Sequence, residues 1–421
     1  MRRGLALLAM LALLAGCTPW GAVTEETLRM GRTEPLYSQV CAGYALPVYE
    51  KAALDFETDL TVSAGESVQV DFTVPEDGQY EIWLTYWNAA QSTLPTEFIV
   101  RVDGEIPFYE LRRVKLNSLW VVESDAIPVD RYGNEIAPTP VSAQVEQTVG
   151  LTDSTARIDA PFLFELKAGS HTLSLECQDS GAHISAVTLK GPDAPPVYAG
   201  EKAQGDNVIV IEGENILSRS KSSIRGAGEF NAALTPYSID HRVLNYLDGA
   251  SFDTAGDAVT YAFKVEKAGW YNLDFHYRQS VKADFPVFLD LFIDGALPSD
   301  AARRIPMDYS TAFADMTVQS GGAPQTFYLS EGDHTLTLRI NAAALTPVYE
   351  MIDRVLSEIN ALSLEITRLS GGKADQYRSY NVRQYIPDIE ERLNGWGDDC
   401  AAAVEYIKQF SSNGSGSAFP A

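Results

Sequence analysis

Basic residues are scarce in this 421-residue sequence: 32 Lys and Arg stand against 57 Asp and Glu, a net charge of −25. A surface that acidic repels nucleic acid and anionic lipid headgroups, so neither is an expected partner. Cysteine is scarcer still, four in all, and Cys41, Cys177 and Cys400 are widely spaced with no Cys-x-x-Cys pair. That spacing speaks against a disulfide framework and against structural zinc. Histidine numbers five, and the sequence lacks His-Glu-x-x-His, Gly-x-Ser-x-Gly, a phosphate-cradling Gly loop and a dinucleotide fingerprint. Glycosidase carboxylates are paired by their separation in three dimensions, which a sequence does not display. The expectation is therefore a protein that is not an enzyme, with no catalytic residue assigned. The apolar run from Leu5 to Leu14, behind Arg2-Arg3, is too short to span a bilayer and reads as the core of a signal peptide.

What closes that run is more specific. Leu14-Ala15-Gly16-Cys17 resembles the lipobox of bacterial lipoproteins, and the resemblance implies cleavage before Cys17 and acylation of its thiol. Two acyl chains supply the stable anchoring that one cannot. Residues 1–16 are then a lipoprotein signal peptide and 17–46 a lipidated tether. An ordinary secretory signal is the alternative.

The rest of the chain is organised around an internal repeat. Pro161-Phe162-Leu163-Phe164-Glu165-Leu166-Lys167-Ala168-Gly169-Ser170-His171-Thr172-Leu173 is answered by Pro324-Gln325-Thr326-Phe327-Tyr328-Leu329-Ser330-Glu331-Gly332-Asp333-His334-Thr335-Leu336. Each copy is a pair of alternating strands about a Gly turn. Upstream, Val74-Pro75-Glu76-Asp77-Gly78-Gln79-Tyr80 matches Val265-Glu266-Lys267-Ala268-Gly269-Trp270-Tyr271, and Val102-Asp103-Gly104 matches Ile293-Asp294-Gly295. One β-domain therefore occurs twice. The boundaries read as 47–192 for the first β-sandwich, 193–206 for a Pro-rich linker and 207–344 for the second. Ile184 to Leu189 is predicted as the first copy's closing strand, and Val208 to Glu214 opens the second copy as another strand. Between Pro107 and Pro161 the first copy runs 28 residues longer than the second does between Pro298 and Pro324, an excess that reads as long loops over one end of the sandwich.

A helical segment, 345–410, follows. Thr346-Pro347 starts a helix whose apolar stripe runs from Val348 to Leu369, and Ser370-Gly371-Gly372 stops it. Two shorter helices are predicted at Pro387–Leu393 and Asp398–Phe410, and residues 411–421 form a Ser- and Gly-rich tail.

Alternation also sorts the faces of the strand Tyr80 to Trp87. Tyr80, Ile82, Leu84 and Tyr86 face one way, with apolar counterparts at Tyr271, Leu273, Phe275 and Tyr277 in the second copy. Trp83 and Trp87 face the other way, where the second copy has Asp274 and Arg278. Indole rings stack on the C–H faces of sugars, so Trp83 and Trp87, with Asn88 and Gln91 beyond, form a candidate carbohydrate platform; the alternative is packing against the long insert or the neighbouring domain. Trp120 in the insert and Arg278 are further candidates. His171 and His334, as repeat equivalents at a strand start, read as structural.

The ordered motifs Pro-x-x-Gly-x-Tyr, Val- or Ile-Asp-Gly, Asp-Arg-Tyr-Gly-Asn-Glu, Phe-x-Leu-x-x-Gly-x-His-Thr-Leu and Ile-Glu-Gly-Glu resemble the N-terminal part of large extracellular solute-binding lipoproteins of Gram-positive bacteria. The resemblance implies a mainly β fold, two tandem galactose-binding-like jelly-roll β-sandwiches followed by a C-terminal α-helical segment, ahead of a solute-binding domain that serves a sugar ABC transporter. Here the chain ends in Ser and Gly after the helices, which reads as a truncated or split member or a stand-alone relative. Glu212 and Glu214 resemble the opening strand of carbohydrate-binding sandwiches in which such a Glu holds structural calcium; a solvated strand edge is the alternative. The function expected is a surface-anchored, carbohydrate-binding lipoprotein on the outer face of the cytoplasmic membrane, with a glycan or oligosaccharide and a solute-binding protein or ABC transporter as partners. The rival readings are a non-binding spacer or docking module and a glycan-active enzyme.

Overall fold

A computed structural model of the protein describes residues 34–88, 92–124, 126–198, 200–371 and 377–410. Cys17, Gln91 and the 411–421 tail lie outside the described residues. The described residues form two compact units, 34–344 and 345–410.

The short helix α1 (Tyr37–Cys41) leads into the first sandwich. Its strands are β1 (Leu54–Ser63), β2 (Ser67–Val74), β3 (Gly78–Trp87), β4 (Thr96–Val102), β5 (Val114–Leu116), β6 (Leu119–Val121), β7 (Val141–Ala143), β8 (Gln147–Gly150), β9 (Leu163–Leu166), β10 (Gly169–Asp179) and β11 (Gly181–Lys190). One sheet has the order β1-β11-β3-β8, with β9 also on β3, and the facing sheet has the order β2-β10-β4-β5. The alternation read from the sequence decides the faces: Tyr80, Ile82, Leu84 and Tyr86 are fully buried between the sheets with Phe98, Leu173, Leu175, Ile184, Val187 and Leu189. Each such side chain contributes roughly 1.5–3 kcal/mol of burial.

The repeat motifs have a shared structural use. Gly169 and Gly332 both sit at φ +138, which a side chain tolerates poorly, and each starts the second strand of its hairpin. In each copy an Asp staples that strand to the Asp-Gly turn. Asp103 accepts from Thr172 N at 2.9 Å and pairs with His171 at 2.7 Å; Asp294 accepts from Thr335 N at 2.8 Å and pairs with His334 at 2.6 Å.

The second sandwich uses β12 (Ser218–Arg219), β13 (Gly226–Ala227), β14 (Tyr246–Leu247), β15 (Ala258–Val265), β16 (Gly269–Asn272), β17 (Asp274–Gln279), β18 (Val287–Ile293), β19 (Ile305–Met307), β20 (Ser310–Thr317), β21 (Gln319–Ser320), β22 (Ala323–Pro324), β23 (Thr326–Leu329) and β24 (Gly332–Asn341). Here two expectations are corrected. The long insert of the first copy is not a set of loops over its own end. Its strands β6 and β7 extend the second copy's main sheet, whose order is β19-β18-β24-β15-β12-β6-β7. Strand pairing satisfies backbone groups that a covered loop would leave unpaired. The Asp130–Glu135 turn docks on the second copy as well, through Asn134 Oδ1 to Arg242 N at 2.9 Å and Glu135 Oε2 to Leu244 N at 2.7 Å. The two sandwiches are thus joined by more than their linker.

The second correction concerns Val208 to Glu214, which is not a strand. Val208 and Val210 are 83% and 72% exposed. In the first copy the opening strand β1 joins its sheet only through β11, and the second copy has no β11 among the described residues, because the chain passes from β24 into a helix.

In the helical unit α2 (Thr346–Ser370) is stopped by Gly371 at φ +72, as the Gly pair predicts. After α3 (Val382–Tyr385), one helix, α4 (Ile389–Lys408), replaces the two shorter ones expected. Gly395 and Gly397 argue against continuity on propensity. Packing overrides them: Trp396, between the two glycines, is buried against Val355, Leu362 and Ile386, and its indole N–H donates to Glu358. Among the described residues no helix is long and apolar enough to cross a membrane.

Candidate functional site

The outer face of the β1-β11-β3-β8 sheet carries the predicted aromatic pair. Trp83 and Trp87 are both partly exposed, on the face of β3 opposite the core. Their settings differ. The Trp83 N–H donates to Glu81 at 2.8 Å, the Lys190 ammonium lies 4.2 Å from the ring centroid, and Gly150 and Pro161 pack beside it. Burial pushes the Glu81 carboxyl above its ordinary range, and the Trp83 and Lys190 partners oppose that shift. Trp83 is therefore largely committed to local structure.

Trp87 has a different neighbour. Register pairs it with His183 of β11, whose ring lies 5.2 Å away at 32°. His183 Nδ1 is 3.0 Å from Thr61 Oγ1, and Asp59 stands 3.5 Å from its Nε2. Thr85 and Thr148 hydrogen-bond side by side at 2.9 Å along the same face. An indole beside an imidazole, with hydroxyl and carboxylate groups further along the same sheet, is a combination that suits sugar recognition. His183 precedes the strand predicted at Ile184 to Leu189, and its place beside Trp87 depends on register.

Two other candidates lie inside the protein. Asn88 is buried, donating its amide to Ser118 and accepting from Thr96 Oγ1 at 3.4 Å, so it ties the loop after β3 to the insert. Trp120 is 7% exposed on β6, paired with Arg219 of β12 and Ser142 of β7. Neither side chain, so placed, is open to a ligand.

On the second copy Arg278 lies in a stack of its own. Its guanidinium stands 4.5 Å from the Phe313 ring centroid and 5.7 Å from that of Tyr246, and it pairs with Glu229 at 2.8 Å. His276 stacks on Phe313 at 5.4 Å and 10°, and bonds Asp315 at 2.7 Å. Phe313 and Tyr246 come from segments with no aromatic counterpart in the repeat, which is why sequence comparison overlooked them.

Glu212 and Glu214, the calcium candidates, sit in different settings. Calcium takes six to eight oxygen ligands. Glu214 Oε2 is buried without a hydrogen-bond partner and could donate to a cation, yet Glu212 is turned to Thr235 Oγ1 at 3.3 Å. Among the described residues no group of three or more His, Cys, Asp or Glu is arranged to hold a metal. Burial instead pushes the Glu214 carboxyl up to about 7, with the charges of Glu212 and Glu135 adding to the shift. A carboxyl whose folded pKa lies above its unfolded value favours folding in its protonated form. That contribution is full below the unfolded pKa and is lost as pH rises through the folded one. Wild type should therefore lose on the order of 1–2 kcal/mol, after allowance for solvent screening, between about pH 5 and pH 8, relative to Glu214→Gln. Thermal melts of both proteins at the two pH values check this, and added calcium should leave the difference unchanged.

Comparison with known proteins bears on the helices. Residues 347–419 match the bacterial solute-binding protein 4-helix bundle domain. The match takes in α2, α3 and α4, so the C-terminal unit is similar to a domain of solute-binding proteins. A search of the curated proteins finds no match. Solved structures with local likeness include a ruminal GH26 endo-β-1,4-mannanase, with 11% identity over 32% of this chain and 19% of that one at a TM-score of 0.19. The GH26-CBM35 β-(1,4)-mannanase of Podospora anserina shows 10% identity over 35% of this chain and 29% of that one, with a TM-score of 0.20. A cycloisomaltooligosaccharide glucanotransferase of a Paenibacillus species shows 12% identity over 69% and 46%, with a TM-score of 0.19. The chain spans less than half the length of each, and likenesses this weak decide nothing about its activity.

Proposed function

We propose that this protein is a cell-surface lipoprotein that binds carbohydrate beside a sugar ABC uptake system and catalyses no reaction. Cys17, acylated, anchors it to the outer face of the bacterial cytoplasmic membrane. The observation that carries the binding reading is the Trp87 ring, partly exposed on a sheet face beside His183, which in turn contacts Thr61 and Asp59. The solute-binding character of the helical unit supports the association with uptake. Trp83, Asn88 and Trp120 support the fold around this face and are left out of the contact surface, and Arg278 belongs to the separate stack on the second copy.

Glycan-array binding of residues 18–421 tests the reading, with calorimetry on any hit. Trp87→Ala should weaken binding at least about tenfold, the equivalent of one stacking contact of roughly 1.4 kcal/mol, while the melting temperature changes little. Wild type that is folded and binds no glycan sinks the proposal.

A specific observation favours a second reading, a docking module for a separate solute-binding partner. On the helical unit Pro347, Val348, Met351, Ala402 and Ala403 line an apolar groove of about 280 Å³. On the same helix Ile352 and Leu356 are exposed. Co-purification of a solute-binding protein, lost on Met351→Glu, would select that reading.

A further inference from the structure

The second sandwich contains counterparts of the first copy's main strands, with two exceptions. β15 answers β2, β16 and β17 together answer β3, β18 answers β4, and β24 answers β10. The strands β1 and β11 have no counterpart among the described residues. In the first copy β11 lies between β1 and β3 and hydrogen-bonds to both. At the corresponding point of the second copy the chain leaves Asn341 for the 3₁₀ turn Ala343–Leu345.

The surroundings of the missing strand are nevertheless in place. Gln204 N donates to Trp270 O at 3.1 Å, just as Tyr49 N donates to Gln79 O at 3.1 Å, and Trp270 is the repeat equivalent of Gln79. The segment 204–211 therefore enters the second sandwich as the segment before β1 enters the first. Between it and β16–β17 lies a cavity of about 350 Å³, lined by Ile209, Ile211, Tyr271, Leu273, Leu291 and Leu336 among others. The equivalent space of the first copy is filled by Ala182, Ile184, Val187 and Leu189 of β11, all fully buried. The consequence is visible on the facing strand: Tyr80, Ile82 and Leu84 are fully buried, whereas Tyr271, Leu273 and Phe275 are partly open. β16 and β17 pair with β23 and β20 on one side, and the side that bonds β11 in the first copy has no strand among the described residues.

We propose that this slot receives an extended strand from a partner polypeptide, running antiparallel to β16–β17, with aliphatic side chains at alternate positions. The first copy specifies the occupant. β11 shows its direction, its length of about ten residues and its small and branched aliphatic inner face. Main-chain hydrogen bonds to the open edge supply affinity, and the cavity selects the alternate side chains. A second copy of this chain does not fit the role, because its own β11 is bonded on both sides and would have to leave the first sandwich. Filling the slot also gives Val208 and Val210 a sheet to join, and removes an open edge that would otherwise invite aggregation.

The test titrates full-length protein with a synthetic peptide of the Gly181–Lys190 sequence and follows amide hydrogen exchange residue by residue. The expected result is saturable binding, with the amides of residues 272–278 slowed about tenfold at about ten times the Kd. A control peptide carrying Ile184→Asp and Val187→Asp should leave exchange unchanged, and Leu273→Glu in the protein should abolish the effect of the parent peptide. If that variant fails to fold, the peptide pair alone decides. The proposal is overturned if folded protein shows no slowing at millimolar peptide or if both peptides act equally. It is equally overturned if residues 272–278, without peptide, are already as protected as 81–87. Glycan binding at Trp87 is independent of every one of these outcomes.

Discussion

Asp290→Ala should lower the unfolding free energy by about 2–3 kcal/mol, the cost of leaving buried hydrogen-bond donors without their acceptor. Asp290 is fully buried, and its carboxylate accepts from Arg339 Nη2 at 2.8 Å, from Asn341 Nδ2 at 2.8 and 2.9 Å, and from Arg304 N at 3.0 Å. Removing it leaves the Arg339 guanidinium against the Phe292 ring with no anion, and leaves a backbone N–H without its acceptor. The loss reaches beyond the second sandwich. Asn341 Nδ2 also donates to Asp159 of the first copy at 2.8 Å, and Ala342 N donates to Ala156 O at 2.8 Å. Loosening Asn341 therefore loosens the joint between the copies. Urea denaturation should show a lower midpoint, with Asp290→Asn retaining part of the stability because its amide oxygen still accepts. A change below about 1 kcal/mol for Asp290→Ala would mean that water replaces the carboxylate and that the cluster is not a structural centre.

Trp120→Ala should cost about 3–5 kcal/mol, the range for truncating a buried large aromatic. The position matters as much as the size. β6 links β12 of the second copy to β7 of the insert, so the cavity opens where one domain's chain enters the other's sheet. Two readouts separate this role from ligand binding. Limited proteolysis should cut faster in the insert, and glycan affinity at the Trp87 face should be unchanged in whatever fraction remains folded. Loss of glycan binding without loss of stability would reinstate Trp120 as a contact residue.

Asp290 looks ordinary in the chain and Trp120 reads there as a ligand contact, and that contrast with their structural roles shows how far the sequence reaches. Two copies of one β-domain were legible, because alternation at period two and the Gly and Asp-Gly turns are local signals. The core face of β3 was legible too, since a second copy with polar residues at Asp274, His276 and Arg278 separates inside from outside. The helix from Thr346 to Ser370 was legible from its stripe and its Gly stop. The aromatic pair Trp83 and Trp87 was found, but not the difference between them, which depends on Lys190 and Glu81 covering one ring and His183 flanking the other.

Composition, period and turn chemistry by themselves determined the repeated β-architecture, the face that β3 buries and the helix from Thr346 to Ser370, because each is written within a few residues of its effect. Tertiary structure alone decided where β6 and β7 pair, that Asn88 and Trp120 are inside, that Asp159, Asp290 and Asn341 converge, and that the second sandwich holds a slot where the first holds β11. The physical reason is that a strand's own pattern states which side is apolar but not which edge it will bond. The partner across that edge is selected by shape and by unpaired backbone groups that come together only when the chain is folded.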